Sequence, residues 1–398
     1  MGGNRMDANP SGGDGGAGTE RLNRWRRRRA EHLAALPWLA TTSGARPARY
    51  VAGELLAVDE HYDDARSAVS ALGHDARDLT EDRPLPGVRR IRAKGLDAPA
   101  AARRVRDRAG ADAAVGPNHV LLGAPHEQGG PFGRPVASRA GAIGPAGRDG
   151  VRVVVLDTGI WADSPLPTDR YQVADADHET VVDADGDSVL DSDVGHANFI
   201  AGVILQGSGR ARVRVMRVLD SFGVGTELEL ATRIAGLTDA DVLNLSLGAY
   251  TVDDQPPVLL QWALGRFLAG QDRLVVAAAG NEGLDGPPFW PAAFAGSTVP
   301  WREQVLAVAA HDGAVVCPWS NAGPWVSVAA PGADVVSTYI NHADFSSGWA
   351  AWSGTSFATP HVVAAIAEAA AQAPGVVAAA KQVVSAATRS IGGYPSLS

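Results

Sequence analysis

The sequence predicts an α/β protein: a parallel sheet flanked by helices, preceded by a small ferredoxin-like α+β unit. Three observations carry this. From Val151 onward, near-continuous apolar runs alternate with helical patterns, as expected of parallel strands covered on both faces. Over residues 46–125 the periodicities instead run β-α-β-β-α-β, the order of a ferredoxin-like unit. Between them lies a stretch rich in Gly, Pro and Ala, His126–Arg148, which reads as a linker. The predicted divisions are a disordered basic tail over 1–45, the small unit over 46–125, a linker over 126–149 and the large domain over 150–398.

Residues 1–20 are rich in Gly, Asn, Asp and Ser and offer no core, so they are expected to be disordered. Arg21–Leu36 has the pattern of a short basic amphipathic helix, with a solvated tail as the competing reading. Tyr50–Val58 reads as a strand and Glu60–Leu72 as a helix stopped by Gly73. A short strand is expected near Ala76, and Val88–Ala93 alternates as another. Asp97 is placed to cap a helix over Ala98–Ala109, with Pro99 in its first turn and Gly110 behind it. Ala113–Leu122 reads as the last strand of the unit.

In the large domain, strands are expected at Val151–Leu156, Arg212–Leu219, Val242–Leu247, Leu274–Ala279 and Val305–Ala310. Helices are expected at Glu227–Leu237, Val258–Ala269 and Ser356–Gln372, and FIAGVIL after His196 reads as a buried one. Sites in open parallel sheets lie beyond the carboxyl ends of the strands. Asp157 and Asn281 both fall there.

Hydrophobic residues make up 45% of the chain and charged residues 20%, the balance of a soluble globular protein. A net charge of −9 argues against nucleic acid as a partner. No run of about 18 apolar residues is present, so no membrane span is expected. The basic Arg26–Arg29 precedes AEHLAALPWLA, a weak signal-peptide core interrupted by Glu31, His32 and Pro37. A cytoplasmic address is therefore expected, with secretion as the alternative. The single cysteine, Cys317, excludes an internal disulfide and reads as a small buried residue.

Three segments hold an acid, an imidazole and a hydroxyl in chain order: VVVLDTGI at Asp157, GHANFIAG at His196 and SGTSFATPH at Ser356. A free hydroxyl is a poor nucleophile at neutral pH. A histidine that takes its proton, held in the useful tautomer by a carboxylate, makes it competent. Ser356 opens an Ala-rich helix, whose start presents unpaired N–H groups and a positive dipole end to a nascent oxyanion. Capping alone would be the bland reading of that serine, and a structural ring that of His196. His361, one turn beyond Ser356, reads as packing.

These segments resemble those of the subtilisin-like serine proteases, or subtilases, over roughly Gly150–Arg389. SGTS-x-A-T-P-H is the most specific of them. The histidine segment departs from the family's His-Gly-Thr-His-Val-Ala-Gly, since Ala197, Asn198 and Phe199 replace the Gly, Thr and second His. The resemblance implies a serine endopeptidase acting on peptide or protein substrates. It also implies that Asn281, in VVAAAGNEG, is the side-chain oxyanion donor. LNLSLG, Leu243–Gly248, resembles the edge segment that pairs with an extended substrate, placing Ser246, Leu247 and Gly248 in the subsite. Ala279 and Gly280 would line the opposite wall of the pocket for the scissile residue, which is expected to accept large apolar side chains. The small unit resembles the family's propeptide, an intramolecular inhibitor, and VGPNHVLLG, Val115–Gly123, resembles its last strand.

The chemistry implied needs no cofactor. Asp175–Asp193 holds eight acidic residues and no Lys or Arg. Asp183, Asp185, Asp187 and Asp191 stand at i, i+2, i+4 and i+8, like the start of a calcium loop, but Val194 occupies the twelfth position where a Glu would be needed. A solvated loop is the competing reading. Two functional alternatives also stand beside the self-inhibited endopeptidase. One is a peptide-binding pseudo-protease, suggested by the HANF segment. The other is a narrow maturation protease for one partner peptide.

Overall fold

The computed structural model of the chain describes residues 29–44, 46–123, 134–147 and 150–398. The expected disorder of residues 1–28 and the linker segment 124–133 lie outside them. The large domain is built on a nine-stranded sheet. Its order is Arg389–Ile391, Tyr394–Ser396, Val328–Pro331, Val305–His311, Leu274–Ala278, Val242–Leu245, Val151–Asp157, Ala211–Arg217 and Tyr171–Val173. All neighbours are parallel except the C-terminal hairpin of the first two.

The continuous apolar strands have a simple cause. Val153 and Val155 face one core, with helices His196–Gly207 and Thr355–Ala369. Val154 and Leu156 face the other, with helices Glu227–Ala235 and Val258–Leu268. With both faces covered, neither set of alternating positions can be polar. Cys317 is buried, and burial pushes its thiol up to about 12, which leaves it unreactive.

The N-terminal unit carries the sheet order Val115–Gly123, Arg49–Val58, Val88–Arg92, Thr80–Leu85, all antiparallel. Helices Tyr62–Ala71 and Ala98–Ala109 cover one face over Leu55, Ile91 and Val115. The chain order is strand, helix, strand, strand, helix, strand. The other face carries Leu56, Val88 and Leu121, which pack on Leu230, Leu259 and Leu260 of the large domain.

Three sequence expectations are corrected. Ala76–Asp78 is a 3-10 turn, because the Asp75 side chain accepts from the Arg77 N–H and diverts the chain. The strand comes later, at Thr80–Leu85, on the sheet edge where Pro84 costs no ladder bond. The tail is not disordered throughout: residues 29–35 are helical and Leu39–Thr41 pairs with Arg49–Val51. Leu33, Leu36 and Leu39 supply the reason, packing with Val120, Leu122 and Phe222. Within the expected linker, Val136–Ala137 adds a strand to Trp349–Trp352. No described helix is long and apolar enough to cross a membrane.

Candidate active site

Asp157 ends its strand at the carboxyl edge of the sheet, fully buried. One carboxylate oxygen accepts from the Thr158 N–H at 2.8 Å and meets His196 Nδ1 at 2.8 Å. That contact fixes the ring so that Nε2 is left for other work. Nε2 is buried and has no hydrogen-bond partner among the described residues. Burial pulls the imidazole pKa down, but the charge and hydrogen bond of Asp157, with the charge of Asp193, outweigh it, and the net shift is upward.

His196 is the first residue of its helix, after Gly195 in the left-handed conformation. A side chain at 195 would strike the Tyr339 ring, 2.7 Å from its Cβ. Glu179 holds the Gly195 N–H at 2.9 Å. Burial raises the Glu179 pKa well above its usual 4.5, which favours its neutral form. The HANF departure is structural. Asn198 accepts from the Trp161 N–H and donates to the Trp161 carbonyl, both at 2.9 Å, pinning the loop after Asp157. Phe199 packs on Phe357 and Trp352, which also flank the His196 ring. Trp349 and Trp352 are thus core residues, both buried.

Ser356 is the second residue of helix Thr355–Ala369, where a backbone N–H has no intrahelical acceptor. Its hydroxyl donates to the Ser246 carbonyl at 2.9 Å rather than to His196. The Ser246 hydroxyl in turn donates to the Ser356 carbonyl at 2.8 Å. Asn281 is buried, and its Oδ1 accepts from the Thr355 N–H and hydroxyl, both at 2.9 Å. This orientation leaves the amide Nδ2 as a buried donor with no partner among the described residues. It lies 3.6 Å from where a Cβ on Gly354 would stand, just before helix Thr355–Ala369. Gly280, at φ +95°, makes the turn before it, and Ala279 is buried beneath. His361 is neutral, its pKa lowered to about 4 by burial, then by His311.

The cleft is occupied. Val115–Gly123 is buried along its whole length and pairs antiparallel with Leu247–Gly248 and with Val224–Thr226. Leu122 lies opposite Gly248 and Gly123 opposite Leu247. His119 Nδ1 meets buried Glu227 at 3.0 Å, and His119 Nε2 accepts from the Val252 N–H at 3.3 Å. Glu227 also accepts from the Leu259 N–H at 2.6 Å.

In the acidic loop, Asp183, Asp185 and Asp187 each bring an oxygen within 4.8 Å of the others. Asp191 is not among them. It is buried, accepting from Ser221 Oγ at 2.6 Å and the Ala184 N–H at 2.9 Å, which corrects the four-ligand expectation. Sequence reasoning missed Glu179 and the contacts of Thr355 and Asn198, although both of these lie in segments, SGTS and HANF, that carried a local signal.

A doubly covered parallel sheet thus ends one strand in a buried acid–imidazole pair, and a serine stands at a helix start of the same domain. The chain belongs to the subtilase family (peptidase S8), which matches residues 148–391. A thermophilic serine proteinase of Bacillus sp. (strain AK1) is 32% identical over 229 residues, covering 54% of this chain and 51% of that protein. Thermitase of Thermoactinomyces vulgaris is 32% identical over 230 residues, covering 54% of this chain and 72% of thermitase. The chain thus spans about half the length of the first of these. Among solved structures, a cold adapted subtilisin-like serine proteinase aligns at TM-score 0.48 and 22% identity, over 63% of this chain and 87% of that one.

Proposed function

We propose that the chain is a serine endopeptidase held inactive by its own N-terminal unit. The observation that carries this is the buried Asp157–His196 pair, whose Nε2 has no partner among the described residues, together with a serine at a helix start whose hydroxyl donates to the Ser246 carbonyl. Catalysis requires the Ser356 hydroxyl to leave the Ser246 carbonyl for Nε2. His196 then takes the proton as Oγ bonds to the scissile carbonyl carbon, whose π electrons move to oxygen. Asn281 Nδ2 and the Ser356 N–H receive that oxyanion. Collapse breaks the C–N bond, His196 returns the proton to the leaving amine, and water repeats the sequence to release the acid.

Ser246, Leu247 and Gly248 bind the substrate backbone by strand addition, and Ala279 with Gly280 walls the scissile residue. The strand Val115–Gly123 takes that same place, which is how the N-terminal unit inhibits. Cleavage in the segment after Gly123 would release it. The chemistry runs on side chains without a cofactor. A calcium ion at Asp183, Asp185 and Asp187 would act only by fixing the loop that leads to His196.

A fluorophosphonate probe and intact mass test the reading together. Wild type should be labelled and shortened, while Ser356→Ala should be unlabelled and full length. An unlabelled wild type would favour the peptide-binding pseudo-protease. Digestion of mixed unfolded proteins decides breadth, since cleavage of a single partner peptide alone would favour the narrow maturation protease.

A further inference from the structure

Gly123 ends the strand that fills the cleft, and it stands between two backbones. Its N–H donates to the Gly223 carbonyl at 2.7 Å, and on its other side it lies opposite Leu247. Its backbone is ordinary strand that any residue can adopt, so conformation does not call for glycine there. The space beside it does. Side chains alternate along a strand, so position 123 points the same way as Leu121, which packs on the large domain. A Cβ at 123 would stand 2.5 Å from Asp193 Oδ2, 3.1 Å from Leu219 Cδ1 and 3.5 Å from the Gly223 Cα. The first two lie inside van der Waals contact.

The obstruction is built into the large domain. The Asp193 side chain is fully buried. Its N–H donates to the Ser221 carbonyl at 2.9 Å, and its own carbonyl accepts from the His196 N–H at 3.0 Å. Its Oδ1 receives Arg29 Nη1 at 3.3 Å, which leaves Oδ2 on the side of Gly123. Behind it, a Cβ on Gly223 would come 2.0 Å from Oδ2 and 2.6 Å from Cγ. Glycine at 223 therefore admits the carboxylate, and the carboxylate shuts position 123 to side chains. Leu219, 2% exposed in the core, closes the neighbouring side.

The strand register says which substrate residue meets this wall. Leu122 faces Gly248 and Gly123 faces Leu247. A substrate laid in the same register would set its next residue opposite Ser246, whose carbonyl holds the Ser356 hydroxyl. That residue carries the scissile bond, and Gly123 marks the one before it, P2. We propose that Asp193, with Leu219 and Gly223, closes the S2 subsite to side chains, so that the substrates are peptides with glycine at P2. This rests on the endopeptidase reading above and gives it a substrate class. The exclusion is one of size. Asparagine at 193 would bar the same methyl group, whereas alanine would admit it.

Four quenched fluorescent peptides identical except for Gly, Ala, Leu or Arg at P2 test this on the full chain. The Gly peptide should show kcat/KM about 10- to 100-fold above Ala, the cost of forcing a methyl group into a packed site, with Leu and Arg lower still. Asp193→Asn should keep that preference, and Asp193→Ala should narrow the gap between Gly and Ala about tenfold. Equal kcat/KM for Gly and Ala peptides in wild type would overturn the closed subsite, even if variants at 193 fail to fold. A second readout needs no cleavage. In Ser356→Ala, adding Gly123→Ala should raise hydrogen exchange in Val115–Gly123, although alanine is the better strand former. Asp193→Ala should lessen that rise. Unchanged exchange sinks the subsite, and an equal rise in both backgrounds removes Asp193 from the wall. The expected exchange pattern, with no peptide cleaved by wild type, would sink the peptidase and keep the closed subsite.

Discussion

Replacing Asn281 with alanine isolates the oxyanion contribution from the rest of the site. In the folded chain Oδ1 is fully engaged with Thr355, while Nδ2 has no partner among the described residues. The donor thus does nothing for the ground state that another group does not share. Its removal should lower kcat by about 10²–10³, a magnitude measured in subtilisin itself, with KM little changed. A separate cost falls on stability. The Thr355 N–H and hydroxyl lose their acceptor in a buried site, at about 1–3 kcal/mol. Steady-state kinetics on a fluorogenic peptide and a thermal melt read the two effects apart. If kcat drops less than about threefold while the melt shifts as expected, Asn281 is a structural residue and the oxyanion assignment is wrong.

Other expectations follow from the same contacts. With neutral His196 as the proposed base, activity should fall as pH drops through its raised pKa. In Asp157→Asn the carboxylate that raises it is gone, burial dominates, and the acid limb of kcat/KM should move to lower pH as kcat falls. Glu179 is an acid with a raised folded pKa, so the folded state holds a proton that the unfolded chain releases above about 4.5. Stability is therefore lost as pH rises, and Glu179→Gln should melt higher than wild type at pH 7–8 but at the same temperature as wild type at pH 4. An identical difference at both pH values would refute an upward-shifted Glu179. His119→Ala removes a contact to buried Glu227, worth about 1.5–3 kcal/mol. It should weaken inhibition by about tenfold or more and raise hydrogen exchange in Glu227–Ala235. Unchanged exchange with unchanged activity would show that this pair does not hold the unit.

Much of the molecule was legible because local chemistry and long-range role coincided. The doubly apolar strands announced a covered sheet, since neither face of Val153–Leu156 meets water. Asp97 and Gly110 marked a helix whose cap and stop the structure keeps: Asp97 accepts from the Ala100 N–H at 2.9 Å. The Asp157, His196, Asn281 and Ser356 segments were readable only as a set in chain order, since the serine alone reads as a helix cap and the histidine alone as a structural ring. The strand Thr80–Leu85 was missed because its polar, proline-bearing sequence is tolerable only at an edge, and edge placement is not a local property.

What the sequence determined alone is what short segments decide: periodicity, caps, turns and the residue types of the site. Only the tertiary structure decided what meets at long range. Glu179 reaches Gly195, Arg29 reaches Asp193 across 164 residues, and Ser356 gives its hydroxyl to Ser246 rather than to His196. Burial, charge pairing and side-chain rotamer are set by neighbours distant in the chain, and no window of the sequence contains both partners.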